Sequence, residues 1–207
     1  VRIREYGRTV RGVPIRALQA GPTHPVLAFV GLVHAGESGP ELLLPALRRL
    51  LQERPELLAR AGLAVLPSLN IDEREAMARG VPWYLRTNHN GVDLNRNFDA
   101  DWDEIAYGYG LDSSDPVAAT YRGPAPESEP ETQAAVRFLT EASPLAVFSF
   151  HCLASICSDA FLAPAKARGN AAYEQAAGRL AKWHGQGMFP GVPEAGRVHY
   201  ACSTGSL

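Results

Sequence analysis

Three short apolar runs punctuate the chain. Residues 25–34 read PVLAFVGLVH, residues 63–70 read LAVLPSLN, and residues 145–153 read LAVFSFHCL. Each is rich in Val, Leu or Phe and too short for a typical helix, which predicts a buried strand. Pro67 sits awkwardly inside the second, because proline cannot donate to a sheet ladder. Three other segments carry helical patterns. One begins at Glu41 and runs through LLLPALRRLLQE, with Pro45 in its first turns, where proline is best tolerated. The second begins with Ser128-Glu129-Pro130-Glu131, which fits a capping box with an early proline. It predicts a helix over 129–142 with Ala135, Phe138 and Leu139 facing inward. The third covers 171–184 and lines up Tyr173, Ala177, Leu180 and Ala181. Residues 71–126 carry Gly, Pro, Asn and Asp with little periodicity. They predict long loops with short helical pieces, and loops of that length in a compact domain are usually functional.

The order strand, helix, strand, loops, helix, strand, helix predicts an α/β fold. In it a mixed, mostly parallel sheet carries helices on both faces, all within one domain over 1–207. In such sheets ligand sites form at the carboxyl ends of strands. His34 and His151 close two of the predicted strands and Asn70 closes the third, so three polar residues are expected on one rim.

Composition narrows the classes of partner. The chain has 207 residues, of which 46% are hydrophobic and 20% charged, with a net charge of −2. Such a chain buries a sizeable core without cross-links. It has no basic block, so no nucleic-acid partner is expected. Nor has it an apolar run near the ~18 residues that span a bilayer. Cys152, Cys157 and Cys202 are an odd set, which argues for free, mostly buried thiols rather than a disulfide framework. The first ten residues, from Val1, are charged and polar, so no secretion signal is visible. The compartment stays open, with the cytoplasm favoured, and the oligomeric state is unknown.

His34 and Glu37 stand three residues apart on a turn after a strand, where both can point at one ion. Imidazole nitrogen and carboxylate oxygen together suit zinc, and two His with one Glu leave a coordination position open. The alternative is a polar turn that leads into the following helix. His151 is the natural third ligand, although a lone strand histidine is more often a hydrogen-bonded core residue. H-x-x-E-H is absent, because Ser38 follows Glu37, and H-E-x-x-H is absent too.

The densest polar run is Arg86-Thr-Asn-His-Asn-Gly-Val-Asp93-Leu-Asn95-Arg96-Asn97-Phe98. An arginine fork matches a carboxylate, and Asn95 adds a neutral donor beside Arg96. Arg86 can separately stabilise an oxyanion. The competing reading is a surface loop whose arginines pair with Asp93, Asp99 and Asp101.

Together these residues resemble the zinc carboxypeptidase family. His34-x-x-Glu37 is similar to its first metal motif and Ser149-Phe150-His151 to the strand with the third ligand. Asn70-Ile71-Asp72 resembles its Asn-Pro-Asp turn. Arg86 followed by GVDLNRNF resembles its arginine and substrate-carboxylate motif. Residues 113–132, SSDPVAATYRGPAPESEPET, resemble the segment leading into the Ser-Glu-Pro-Glu helix. Tyr200 and the following STGSL resemble the mobile tyrosine segment, with Leu207 near the specificity pocket. The motifs keep family order from residue 6 to residue 207.

The resemblance implies an eight-stranded mixed sheet, one zinc ion held by His34, Glu37 and His151, and hydrolysis of a peptide bond by metal-activated water. It implies Arg86 as the catalytic oxyanion stabiliser. It implies Asn95, Arg96, Tyr200 and Leu207 as substrate-binding residues for a peptide with a free carboxylate. Cys152 departs from the family's usual Ser, and Gly36 stands where digestive members carry Arg. The family's general-base Glu follows the tyrosine segment, so it is expected beyond Leu207, with the closing strand and helix of a domain truncated here. Three functions stay open. One is removal of a C-terminal amino acid. Another is cleavage of γ-D-glutamyl bonds in cell-wall peptides, whose bacterial enzymes carry a similar Arg-x-Asn-x-x-GVDLNRNF run. The last is peptide binding without catalysis.

Overall fold

The computed structural model describes residues 1–37, 39–80, 85–99, 102–103 and 113–151, with Ala172, Gln175 and Arg179. Among these residues five strands form one sheet in the order β1-β2-β4-β3-β5. They are β1 (Arg2–Arg8), β2 (Pro14–Ala20), β3 (Val26–Val30), β4 (Gly62–Leu66) and β5 (Ala146–Ser149). The helices are α1 (Leu43–Glu53), α2 (Ile71–Ala78) and α3 (Pro130–Ala142). The sheet is mixed, as expected. Its parallel part is β4-β3-β5. Beside it β1 pairs antiparallel with β2 and β2 antiparallel with β4. Those two strands have no counterpart in the sequence reading. Both lie toward one edge, and arginines occupy their exposed positions, so neither presents a continuous apolar run.

Strand β3 alternates strictly. Val26, Ala28 and Val30 of β3 are buried, and with Leu66, Tyr6, Ile15 and Phe138 they join a single core. Helix α3 contributes Ala134, Ala135 and Phe138, all fully buried, so two of the three expected inward positions are at its centre and Leu139 packs at its margin. Tyr6 meets Phe138 edge-on at 5.4 Å, a favourable aromatic geometry. The opposite face of the sheet carries Phe29, stacked on Phe148 at 5.4 Å.

The predicted capping box before α3 does not form. Ser128 Oγ donates to Glu129 Oε1 instead, and Glu129 occupies the N-cap position. Glu131 is drawn away from the helix end, since its Oε1 accepts the Val10 N–H at 2.9 Å. Buried carboxylates also tie down the β1–β2 hairpin from a second side. Asp72, in the first turn of α2, accepts Thr9 Oγ1 at 2.7 Å and the Arg11 N–H at 2.9 Å. Residues 71–78 thus supply one of the short helical pieces expected in the long loop region.

Backbone approach at the strand ends is close. Strand β4 stops at Leu66, so Pro67 lies just past the ladder it could not join. A Cβ on Gly31 would sit 2.6 Å from the Pro67 carbonyl oxygen, which reserves that position for glycine. The helix predicted over 171–184 lies outside the described residues, apart from Ala172, Gln175 and Arg179, which are helical and exposed. No described helix is long and apolar enough to cross a membrane.

Candidate metal centre

Because β3, β4 and β5 run parallel, their exits share one rim of the sheet. His34 follows β3, Asn70 follows β4 and His151 follows β5. The loops after β3 and β4 are laced together, with the N–H groups of Leu69 and Asn70 both donating to the Leu32 carbonyl. Leu32 itself takes a left-handed backbone (φ 49°), which turns the chain so that His34 and Glu37 face inward. Each of the two is almost wholly buried.

The expected triad assembles. His34 Nδ1 lies 2.8 Å from Glu37 Oε1, and His151 Nδ1 lies 2.9 Å from Glu37 Oε2. One ligand atom from each residue falls within 4.8 Å of the others. The two imidazoles are tilted at 50° with centroids 5.0 Å apart. Both turn Nδ1 toward the shared carboxylate because their far nitrogens are held elsewhere. His34 Nε2 is 3.0 Å from Asp93 Oδ1, and His151 Nε2 is 3.1 Å from Ser149 Oγ. These outer contacts fix the orientation of both rings, the usual arrangement around a metal-binding histidine.

The donor set fits zinc. Two nitrogens and a carboxylate oxygen at ~2.0–2.2 Å from a tetrahedral ion lie about 3.3 Å apart. The two His–Glu contacts stand at 2.8 and 2.9 Å, one to each carboxylate oxygen, and the three ligand atoms lie within 4.8 Å of one another, close enough to converge on one ion. The electrostatics are those of an anionic cup. Burial disfavours a charged Glu37, but hydrogen bonding to His151 and His34 outweighs it and holds the pKa at about 2. Burial likewise disfavours charge on His34, yet Asp93 and Glu37 outweigh it and raise its pKa. At His151 burial prevails over Glu37 and the pKa falls, which favours the neutral imidazole that a metal needs.

Asp93 was not singled out as a site residue by the sequence reading. It is fully buried and serves three groups. Oδ1 faces His34 and accepts the Asn95 N–H at 3.0 Å, capping the 3₁₀ turn Leu94–Arg96. Oδ2 accepts Arg86 Nε at 2.6 Å. Burial opposes its charge, but His34, Arg86 and Arg96 hold its pKa far below the usual range. The surface-loop reading of the arginines is therefore half right. Arg86 does pair with Asp93, but the pair is buried and attached to the metal group. Asn95 and Arg96 sit on the turn that Asp93 opens, and Arg96 is buried with Nη1 donating to the Asn95 carbonyl at 3.0 Å.

Two more buried amides hold this loop. Asn88 Oδ1 accepts the N–H groups of Asn90 and Val92, while its Nδ2 donates to Glu129 at 2.7 Å and Glu131 at 3.0 Å. Asn97 Nδ2 donates to the carbonyls of Arg122 and Ala125 and to Ser128 Oγ, and its Oδ1 accepts the Glu129 N–H. The polar run 86–97 thus carries a signal that amphipathic periodicity does not register. Its short side chains satisfy buried backbone, which is how a long loop becomes rigid. Cys152, Tyr200 and Leu207, and the expected substrate contacts of the last two, lie outside the described residues.

The chain has relatives of known family. Residues 1–185 match the model of the zinc carboxypeptidase family. The chain is 33% identical to the human carboxypeptidase N catalytic chain over 163 residues, covering 67% of this chain and 34% of that protein. It is 36% identical to murein peptide amidase A of Escherichia coli K12 over 154 residues, covering 70% of this chain and 57% of that one. Among solved structures, carboxypeptidase A of Helicoverpa armigera superposes with a TM-score of 0.75 at 20% identity, over 100% of this chain and 55% of its own. The murein-tripeptide amidase of Escherichia coli O157 gives 0.52 at 28% identity, over 72% and 60%. The chain spans less than two thirds of the length of each of these proteins. With a family match across nearly its whole length and the donor set in place, the chain belongs to the zinc carboxypeptidase family, whose members are zinc-dependent metallopeptidases.

Proposed function

We propose that the protein is a zinc metallocarboxypeptidase that hydrolyses the C-terminal peptide bond of peptides. The observation that carries this reading is the link from the His34–Glu37–His151 group through Asp93 to the Asn95–Arg96 turn. A metallopeptidase acting at a chain end needs a carboxylate anchor at a fixed distance from its metal, and Asp93 joins the two. A bound zinc ion would polarise the scissile carbonyl and activate water. This chain's own residues do the rest. His34, Glu37 and His151 hold the ion, Arg96 and Asn95 orient the substrate's terminal carboxylate, and Arg86 stabilises charge developing on the carbonyl oxygen.

A second reading is favoured by one observation. The likeness to murein peptide amidase A covers 70% of this chain, more than the 67% shared with the carboxypeptidase N chain. In that reading the substrate is a cell-wall peptide and the scissile bond a γ-D-glutamyl one. The complete gene product, assayed with zinc on blocked dipeptides bearing a free or amidated C-terminus and on a murein tripeptide, separates the two. Turnover of free-carboxylate dipeptides with none of the amidated ones supports the first. Turnover of the tripeptide alone supports the second, and turnover of none defeats both.

A further inference from the structure

We propose that Arg86 is a positioning residue for the metal ligand His34, acting through Asp93, beside its role toward substrate. The inference rests on His34 being a zinc ligand. Three residues stand in line: Arg86 Nε donates to Asp93 Oδ2 at 2.6 Å, and Asp93 Oδ1 faces His34 Nε2 at 3.0 Å. A carboxylate attached to a histidine by one oxygen alone can still swing about its own axis. With the other oxygen locked by a guanidinium, its plane is set, and with it the plane of the imidazole.

The placement of Arg86 is itself built. The Leu85 carbonyl accepts the Gly36 N–H at 2.7 Å, between the two metal ligands on their own turn. The Thr87 carbonyl accepts Asn70 Nδ2 at 2.8 Å, from the loop after β4. The segment 85–87 is thus stitched on both sides to the loops of the site, with the Arg86 side chain between them reaching Asp93. The side chains of the pair are 8% and 0% exposed. An exposed ion pair would contribute little and be screened by salt. Here the loss of one partner leaves a buried carboxylate held through Oδ1 alone, by His34 and the Asn95 N–H, with nothing to lock its other oxygen.

This role separates cleanly from contact with substrate. Stabilising a developing oxyanion acts on turnover, whereas positioning His34 acts on zinc affinity with no substrate present. The test measures zinc dissociation constants of the complete gene product by competition with a chromophoric chelator, together with urea unfolding of the metal-free forms. The variants are Arg86→Gln, Arg86→Lys, Asp93→Asn and the Arg86→Gln/Asp93→Asn double variant. Groups that orient metal ligands typically change affinity by 10- to 100-fold, so Arg86→Gln is expected to weaken zinc binding about tenfold. In the Asp93→Asn background the same change adds less than about twofold, since the link is already cut.

Zinc affinity unchanged by Arg86→Gln, or the full loss persisting in the Asp93→Asn background, overturns the proposal. If Arg86→Gln does not fold, Arg86→Lys carries the test. It keeps the charge but not the planar fork, and a loss of about threefold or more is expected, while wild-type affinity overturns the proposal. Wild-type binding of one zinc, lost in His34→Ala, tests the metal centre itself. Its failure would remove the centre, whereas failure of the Arg86 series alone removes only the link.

Discussion

Glu37 and His151 are separated by 114 positions in the chain and meet at 2.9 Å, one carboxylate oxygen against one imidazole nitrogen. The other oxygen of Glu37 meets His34 at 2.8 Å, so a single carboxylate bridges two strands' exits. Zinc is therefore expected to act as a tertiary staple as well as a cofactor. The zinc-loaded protein should unfold at higher temperature than the chelator-treated one. Saturation at 1,000 times the dissociation constant stabilises by about 4 kcal/mol. His151→Ala should show no zinc-dependent shift in a thermal melt. An equal shift in that variant would mean that the metal binds elsewhere.

The metal-free protein should lose stability in acid through Glu37. Its pKa in the fold is about 2, against about 4.3 for an unfolded glutamate. A group depressed on folding contributes stability that is fully present above the unfolded value. That contribution is lost as pH falls from about 4 through about 2. The amount is on the order of 3 kcal/mol. Urea unfolding of the metal-free protein between pH 6 and pH 2 should show this slope, and Glu37→Gln should flatten it. A slope untouched by that substitution would assign the acid sensitivity to other carboxylates.

Asp72 is expected to matter for the fold rather than for chemistry. It holds the hairpin tip through Thr9 Oγ1 and the Arg11 N–H while itself only 3% exposed. Asp72→Ala should cost about 1–3 kcal/mol for each polar group left unpaired. Hydrogen exchange should speed up across Thr9–Val13 with zinc affinity unchanged. Slow exchange at the tip in the variant would show that the Glu131 contact to Val10 is sufficient by itself.

Arg96→Ala is expected to raise KM for free-carboxylate peptides, with a cost of about 2–5 kcal/mol in kcat/KM when the substrate charge is left unpaired. Zinc affinity should change less than in Asp93→Asn, which alters the carboxylate that faces His34 itself. Steady-state kinetics on free and amidated dipeptides measure this. Equal losses on both substrates would show that Arg96 supports the loop and does not bind the carboxylate.

Much of the frame was legible in the residues. The apolar runs that become β3 and β4 lie inside the sheet, and the run that becomes β5 pairs beside them half-buried, and such strands announce themselves by composition alone. The helix over 130–142 was legible because Ala135 and Phe138 recur with the helical period. The ligands His34, Glu37 and His151 could be named because short motifs at strand ends carry spacing information that survives without coordinates. Strands β1 and β2 were not legible, since their exposed arginines break the hydrophobic alternation and their pairing is supplied by residues far along the chain. The capping box at Ser128 misled for a related reason. Its local pattern is sound, but Asn97 and Val10 compete for the same oxygens and prevail through tertiary contact.

What the sequence determined by itself, then, is which residues hold the chemistry and which segments are apolar enough to place them on one rim. Only the tertiary structure decided how they are held. Asp93 shows why. In the linear chain it is one acid among several beside two arginines, equally able to pair on the surface. Folded, it is sealed from water, and a buried carboxylate must find partners for both oxygens. The partners within reach are Arg86, His34 and the Asn95 N–H, brought there by parallel strand exits and by loops tied through Leu32, Gly36 and Asn70. Burial, which no local pattern records, turns that acid into the joint between the metal ligand and the substrate turn.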